Sequence, residues 1–220
     1  CWDAGNRVSY PGAGTSWAAL GAGSAGTLVN TPSFVDGKMG FILFDGTNDY
    51  CQFGVNTMTF SDPGTIILWI RWLTSAATGG IFTARQSGGD QGSDGGYQYP
   101  AWSCYNNSND DLRWISGRGS YGFYDTGLVD GEWAQLAITF RNPGGSYAWV
   151  YTTVYVNGEK SQISGTVTSP YFTNTDGAFR IANGNANYWN GGLASAHVYN
   201  RELTAAEVLQ NYNATKGRFT

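Results

Sequence analysis

The fold is decided by one stretch of sequence, residues 65–73, which reads Thr-Ile-Ile-Leu-Trp-Ile-Arg-Trp-Leu. β-Branched and aromatic residues dominate it, and these residue types favour the extended backbone of a β-strand. A nearly continuous apolar run of this length, with Arg71 as its one charged residue, is typical of a strand with both faces covered. We therefore expect a central strand at residues 65–73, with residues 81–85 as its hairpin partner across Gly79 and Gly80.

The composition agrees with a β protein. The chain has 220 residues, of which 32 are glycine, 15% are aromatic and 13% are charged. Frequent glycine disfavours a helical bundle, because each glycine inside a helix costs about 1 kcal/mol. Abundant aromatics at a net charge of −4 exclude a disordered chain. All-β domains of this length commonly fold as one unit, so we predict a single domain at residues 1–220, with an irregular N-terminal segment at residues 1–40 packed on it.

Short strand patterns recur along the whole chain. About a dozen of them follow one another at intervals of about ten residues, and they do not alternate with helical patterns. Asn157 and Gly158 separate two of these strands, and both residues tolerate the positive φ angles of a tight hairpin turn. The fold class is therefore predicted to be all-β, a two-sheet antiparallel jelly-roll sandwich of the concanavalin A-like kind.

One helix is expected near the C-terminal end of the sequence. Thr204 and Glu207 have the spacing of a capping box, in which each side chain binds the backbone of the other residue. Val208, Leu209 and Tyr212 follow at helical spacing and would form one apolar face. We predict a short helix at residues 204–214 that lies against the sandwich.

Charge and hydropathy exclude two classes of partner. The sequence pI is about 4.8 and the chain contains no basic run, so we predict that it does not bind nucleic acid. No apolar stretch approaches the 18 residues or so of a membrane-spanning helix, so we predict no membrane insertion.

The cysteines and the histidine offer no obvious chemistry. Cys1, Cys51 and Cys104 have no zinc or redox spacing, which favours three reduced thiols, with a bridge between Cys51 and Cys104 as the alternative. The only histidine, His197, lies in an alternating stretch at residues 193–199. We expect it to be a structural residue of a strand rather than a catalytic group.

Five segments, in this order, carry a resemblance to a known family. Residues 44–50 read Phe-Asp-Gly-Thr-Asn-Asp-Tyr, and the others lie at residues 65–72, 130–133, 154–158 and 191–208. Together they resemble the laminin-G-like, concanavalin A-like lectin/glucanase jelly-roll domain. Residues 3–6, 9–12 and 212–219 further resemble the version of this domain found in bacteriophage structural proteins.

The resemblance leaves several functions open, because lectins, carbohydrate-binding modules, adhesion domains and some glucanases share the scaffold. It implies that enzymes of the fold use an E-x-D-x-x-E strand, which sets two carboxylates on one face at the short separation of retaining hydrolysis. None of the four glutamates, Glu132, Glu159, Glu202 and Glu207, has a second glutamate at that spacing. We therefore predict that the chain is not an enzyme.

A calcium site is one candidate that the resemblance suggests. The family often binds calcium at a loop edge, and Asp45, Asn48 and Asp49 would offer hard oxygen ligands within one turn. The alternative is an Asx turn, in which these side chains bind their own backbone.

A sugar-binding platform is the second candidate. Aromatic rings stack on the apolar C–H face of a sugar ring, and amide groups bind its hydroxyls. The alternative role of the same aromatics is to fill the core, and we expect Trp102, Tyr105, Tyr124 and Trp189 to be the best exposed of them. The candidate residues are Trp102, Tyr105, Asn106, Tyr124, Tyr188 and Trp189.

Three functional hypotheses follow. The first is a non-catalytic virion surface module, either a capsid decoration or a fibre or tail domain, with glycan-binding capacity. Its partners would be other virion proteins, copies of itself, or a cell-surface glycan, and its location would be the virion surface or the extracellular space. The second is a carbohydrate-binding or lectin module of a secreted bacterial protein, and the third is a glycoside hydrolase.

Overall fold

A computed structural model of the chain describes residues 1–55, 63–73, 80–84, 102–106, 112–116, 120–125, 127–141, 151–163, 178–184 and 187–219. The described strands are β1 (Trp2–Asp3), β2 (Ser16–Trp17), β3 (Gly26–Val29), β4 (Ser33–Val35), β5 (Phe41–Asp45), β6 (Tyr50–Val55), β7 (Gly64–Trp72), β8 (Gly80–Ala84), β9 (Trp102–Asn106), β10 (Leu112–Ser116), β11 (Ser120–Asp125), β12 (Trp133–Arg141), β13 (Tyr151–Val156), β14 (Glu159–Lys160), β15 (Gln162–Ile163), β16 (Ala178–Ile181), β17 (Asn183–Gly184), β18 (Asn187–Tyr188) and β19 (Asn190–Tyr199). Helix α1 (Ala205–Thr215) and a 3₁₀ turn (Lys216–Arg218) follow.

The described strands form two sheets. The smaller sheet has the order β14-β13-β12-β7-β19-β5-β4, with β1 paired to β19. The larger sheet has the order β15-β11-β10-β9-β8-β16-β6-β3-β2, and β17 and β18 are attached beside β8. Apart from the parallel contact of β18 with β8, the described pairings are antiparallel. The predicted class, a two-sheet antiparallel sandwich with one short C-terminal helix, is confirmed.

The hydrophobic core lies between the two sheets. In β7, Ile66, Leu68, Ile70 and Trp72 belong to this core, and each is at most 1% exposed. Thr65, Ile67 and Trp69 face the other way and are also buried, and Ile67 belongs to a second apolar cluster, whereas Arg71 is half-buried. The strand therefore has both faces covered, as its sequence predicts.

Helix α1 and the turn after it cover part of the outer face of the smaller sheet. The predicted capping box is present, because Glu207 N–H donates to Thr204 Oγ1 and Thr204 N–H donates to Glu207 Oε2. Trp69 of β7 stacks on Phe219 with 4.1 Å between ring centroids, and its Nε1 donates to Thr215 Oγ1 at 2.9 Å. Val208 of the helix is fully buried. The helix thus completes a second apolar layer outside the sandwich.

One predicted hairpin is wrong. Strand β8 does not pair with β7; it lies in the larger sheet between β9 and β16, whereas β7 pairs with β12 and β19. In a sandwich, consecutive strands often belong to opposite sheets, and a local turn signal cannot distinguish that crossing from a hairpin.

The hairpin at Asn157 and Gly158 is confirmed. These residues have φ angles of 53° and 83°, and they connect β13 to β14 within the smaller sheet. The chain then crosses at Ser161 to the larger sheet, where β15 pairs with β11. The predicted second strand of this hairpin is therefore split between the two sheets.

The first forty residues are more regular than predicted. They contribute β1 and β4 to the smaller sheet and β2 and β3 to the larger one. Trp17 is fully buried in the core, as expected for an anchoring indole. Asp3 forms an ion pair with Arg218 at 2.7 Å, which joins this segment to the turn after α1.

The environments of Cys1, Cys51 and His197 are defined by the structure. Cys51 is a free thiol in the core, and burial raises its pKa. Cys1 is also free, and its Sγ lies 3.6 Å from Nε2 of His197 on strand β19. Burial lowers the pKa of His197. In the described part of the chain, no helix combines the length and the apolar character needed to cross a membrane.

Candidate functional site

The larger sheet presents polar and aromatic side chains on its outer face. In β6, Cys51 and Phe53 point into the core, so strand alternation places Tyr50 and Gln52 on the opposite face. The same alternation in β16 places Arg180 outward, directly across from Gln52 in the register of the two strands.

Four of these residues contact one another and are here named the tyrosine–arginine cluster: Tyr50, Gln52, Arg180 and Tyr188. Arg180 Nε donates to Gln52 Oε1 at 3.0 Å, and the Arg180 guanidinium carbon lies 5.1 Å from the centroid of the Tyr50 ring. The rings of Tyr50 and Tyr188 are 6.4 Å apart and inclined by 37°. All four residues are half-buried, so each side chain is supported by the sheet and still partly open to solvent.

A buried polar pair lies beside the cluster. Thr83, the register partner of Arg180 on β8, donates from Oγ1 to the backbone carbonyl of Asn183 at 2.8 Å. Asn183 in turn pairs with Tyr188 across the short β17–β18 hairpin. Asn183 is 5% exposed, and its side-chain oxygen Oδ1 has no hydrogen-bond partner among the described residues. A buried amide oxygen without a donor is uncommon in folded proteins and is usually satisfied by a water or a ligand.

A depression in the N-terminal segment is an alternative candidate site. It has a volume of about 250 Å³ and is lined by Tyr10, Leu28, Pro32 and Phe34, among others. Pockets that bury small ligands usually have volumes of about 300 Å³ or more. The lining of the depression holds no charged side chain, whereas the tyrosine–arginine cluster combines rings, a guanidinium and an amide, so we take the cluster as the candidate site on its chemistry.

The family of the chain follows from a comparison with family models. The model Laminin_G_3, described as the concanavalin A-like lectin/glucanases superfamily, matches residues 45–209. The chain belongs to this superfamily. No curated protein sequence matches the chain significantly.

Solved structures resemble this lectin/glucanase domain in fold. The Trypanosoma rangeli sialidase in complex with sialic acid matches with a TM-score of 0.71 and 14% identity, over 100% of this chain and 33% of that one. Domain 4 of AbnA, a GH43 extracellular arabinanase from Geobacillus stearothermophilus, in complex with arabinotriose, matches with a TM-score of 0.59 and 17% identity, over 87% of this chain and 90% of that domain. The chain spans about a third of the length of the sialidases that it matches.

These neighbours contradict the prediction that the chain is not an enzyme. Both structures come from sugar-acting enzymes, a sialidase and an arabinanase, so a domain with this fold is found within such proteins. The missing E-x-D-x-x-E strand excludes one catalytic arrangement only. At sequence identities of 14% and 17%, the structural similarity shows a shared fold and nothing more.

Trp189 is not an exposed sugar-binding residue of this lectin/glucanase domain. It is 2% exposed and packs in the inter-sheet core, with ring centroids 6.2 Å from Phe44 and 6.5 Å from Trp72. Its neighbour Tyr188 faces outward into the tyrosine–arginine cluster, because successive residues of an extended chain point to opposite sides. The expectation that Trp189 is exposed is therefore wrong.

The remaining aromatic candidates lie in strands of the larger sheet. Trp102, Tyr105 and Asn106 belong to β9 and Tyr124 belongs to β11, and the side chains of all four lie outside the described part of the structure. Their role in sugar binding stays a prediction.

The proposed calcium turn has the geometry of an Asx turn. Asp45 Oδ1 accepts the backbone N–H groups of Thr47 at 2.8 Å and Asn48 at 3.2 Å. The hydrogen bond from Thr47 contributes most to lowering the pKa of Asp45. Burial, followed by the charge of Asp45, raises the pKa of Asp49. One of the Asp45 oxygens is therefore already occupied by backbone donors, as the alternative interpretation requires.

A calcium ion at Asp45, Asn48 and Asp49 stays a prediction. Asn48 is exposed, whereas Asp49 is buried. Among the described residues, no three His, Cys, Asp or Glu side chains are grouped so as to hold a metal ion. Two carboxylates and one amide are few ligands for a cation that prefers six to eight oxygens. Dialysis against calcium followed by a metal assay tests the site.

Tyr50, Gln52 and Arg180 were missed by the sequence reasoning. The sequence does contain a pattern that indicates their outward orientation, because Tyr-Cys-Gln-Phe and Phe-Arg-Ile both alternate between core and surface residues. The two segments are more than a hundred residues apart, however, and only the strand register brings Arg180 to Gln52. A local pattern carries no information about that pairing.

Proposed function

We propose that this lectin/glucanase domain binds carbohydrate through the tyrosine–arginine cluster on the outer face of its larger sheet. The observation that supports the proposal is the arrangement of the Tyr50 and Tyr188 rings, 6.4 Å apart, with Arg180 and Gln52 beside them. Rings of this kind accept the C–H face of a sugar, while guanidinium and amide groups bind its hydroxyl oxygens.

The rigidity of the cluster favours binding. Tyr50, Gln52 and Arg180 lie on paired strands, and the hydrogen bond from Arg180 to Gln52 holds both side chains in place. Side chains that are ordered before the ligand arrives lose less conformational entropy on binding. A half-buried site of this kind needs little rearrangement to receive a sugar.

The comparisons support a carbohydrate-related role. Domain 4 of the arabinanase, which this chain matches over most of that domain's length, is described in complex with arabinotriose. We propose a corresponding role here, in which the domain holds the protein that carries it close to a glycan.

The experiment is a glycan array, followed by calorimetric titration with the strongest ligand. Tyr188→Ala removes one ring and is expected to weaken binding by about tenfold, since losing a contact of this kind costs about 1.4 kcal/mol. Tyr188→Phe keeps the ring and should bind within about threefold of the unmodified protein. Tyr199→Ala, which removes a half-buried tyrosine from the smaller sheet, is the matched control and should bind normally.

Two results would overturn the proposal. One is the absence of binding to any glycan on the array by the folded protein. The other is unchanged affinity in Tyr188→Ala. A thermal melt of each variant distinguishes lost binding from lost folding.

A virion surface role remains a more specific proposal. It rests on the sequence resemblance to bacteriophage versions of the domain, and so do its proposed partners and its location on a virion or outside the cell. Electron microscopy of the native source tests it directly. A regular lattice of this chain on a particle would support the role, and a solitary protein would contradict it.

A further inference from the structure

Arg180 is fixed in place by the cluster. Its Nε donates to Gln52 and its guanidinium lies over the Tyr50 ring. A guanidinium carries five N–H donors in a planar fork, and Nε supplies one of them. In the described part of the chain, Arg180 has no other hydrogen bond, so its two terminal nitrogens remain available to a ligand.

Arg180 also differs in its charge balance from most of the other arginines whose side chains are described, although Arg71 likewise has no ion pair among the described residues. Arg7, Arg141, Arg201 and Arg218 each form an ion pair with a carboxylate. Arg180 has no carboxylate oxygen within 4.0 Å among the described residues, although the chain has 16 acidic residues against 12 basic ones. An ordered cation without a protein counter-ion is suited to receive the anion of a ligand.

We infer that the tyrosine–arginine cluster selects an acidic sugar, a ring that carries a carboxylate or a sulfate group. This inference rests on the proposed function above. The anionic group would accept hydrogen bonds from the terminal nitrogens of Arg180, and the sugar ring would lie against Tyr188. Asn183 pairs with Tyr188 in the adjacent hairpin, and its buried Oδ1 would accept a hydrogen bond from a water that bridges to the sugar.

The planar shape of the Arg180 guanidinium contributes to recognition of the anion as well as its charge. A carboxylate can accept two parallel hydrogen bonds from a guanidinium, whereas a lysine ammonium offers a point charge. Arg180→Lys should therefore lose part of the preference for acidic sugars, and Arg180→Met should lose all of it.

A substitution at Gln52 tests the preference for acidic sugars more specifically. Gln52→Glu is nearly isosteric, and it would place a carboxylate about where Oε1 now lies, 3.0 Å from Arg180 Nε. That internal anion would neutralise Arg180 and repel an acidic ligand. We expect Gln52→Glu to weaken binding of the acidic sugar about tenfold or more, since charge-assisted hydrogen bonds are the strong ones in proteins.

The test uses pairs of ligands that differ in charge alone. Oligogalacturonate is compared with its methyl ester, sialyllactose with its methyl ester, and a sulfated oligosaccharide with its desulfated form. The expected result is at least about tenfold tighter binding to the acidic member of a pair, and the carboxylate and sulfate pairs identify which anion is preferred. Arg180→Met should remove this difference, because the acidic member loses more affinity than the neutral member does. Arg7→Met, an exposed arginine on the N-terminal segment, is the matched control.

The possible outcomes distinguish the proposal of carbohydrate binding from the inferred preference for an acidic sugar. Equal binding of acidic and neutral members would overturn this inference and leave carbohydrate binding in place. A charge preference that persists in both Arg180→Met and Gln52→Glu would also overturn it. No binding to any sugar would overturn the proposed function and this inference with it.

Discussion

Truncation of Trp189 tests whether this residue belongs to the core or to a ligand platform. A tryptophan side chain buries about 150–250 Å², which corresponds to about 4–6 kcal/mol at about 25 cal/mol per Å². Trp189 is 2% exposed, so Trp189→Ala loses nearly all of that contribution. The indole Nε1 has no hydrogen-bond partner in the part of the chain that the structure describes, and removing a buried unsatisfied donor returns about 1–3 kcal/mol. We expect a net loss of about 3 kcal/mol in the free energy of unfolding.

The assay is calorimetric melting, with glycan binding measured in parallel below the melting temperature. For a chain of this size, about 3 kcal/mol lowers the melting temperature by about 6–12 °C. Trp189→Phe is the matched variant, because it keeps an aromatic ring in the core, and it should lose less than half as much. A shift below about 2 °C in Trp189→Ala, together with lost glycan binding, would refute the assignment to the core.

Three further predictions concern stability and reactivity. The hydrogen bond from Arg201 contributes most to lowering the pKa of Glu207 to about 2. The ionised Glu207 therefore stabilises the fold above its ordinary pKa of 4.5, and this stabilisation is lost as the pH falls towards 2. The difference in melting temperature between the unmodified protein and Glu207→Gln should shrink over that range, and a constant difference would contradict this prediction. Gly158 has a φ of 83°, and an added Cβ would lie 2.9 Å from Leu209 Cδ1, so Gly158→Ala should lower the melting temperature by about 2–8 °C. Burial raises the pKa of Cys51, so its thiol should resist maleimide in the folded protein and react in denaturant, as mass spectrometry of the labelled peptide will show.

The elements that the sequence predicted correctly are those with local signals. The apolar run that became β7, the Asn157–Gly158 turn and the capping box at Thr204 and Glu207 each depend on residues close together in the chain. Local propensity and side-chain capping determine such features, and tertiary contacts then reinforce them.

The elements that it missed depend on long-range register. The partner of β8 and the meeting of Arg180 with Gln52 are set by how distant strands align across the larger sheet. The same applies to the contrast between Tyr188 and Trp189, where one position along the strand separates a surface residue from a core residue. The prediction that the chain is not an enzyme was wrong for another reason: it rested on the absence of particular catalytic motifs and took that absence as general.

Chemical-shift mapping by NMR tests whether a glycan binds at the tyrosine–arginine cluster. The strongest glycan from the array is titrated into isotope-labelled protein, and the Arg180 Nε–H and the backbone amides of Tyr50, Gln52 and Tyr188 are followed. We predict saturable shifts at these four residues, with one shared dissociation constant. Saturable shifts elsewhere in the domain, with none in the tyrosine–arginine cluster, would contradict the account.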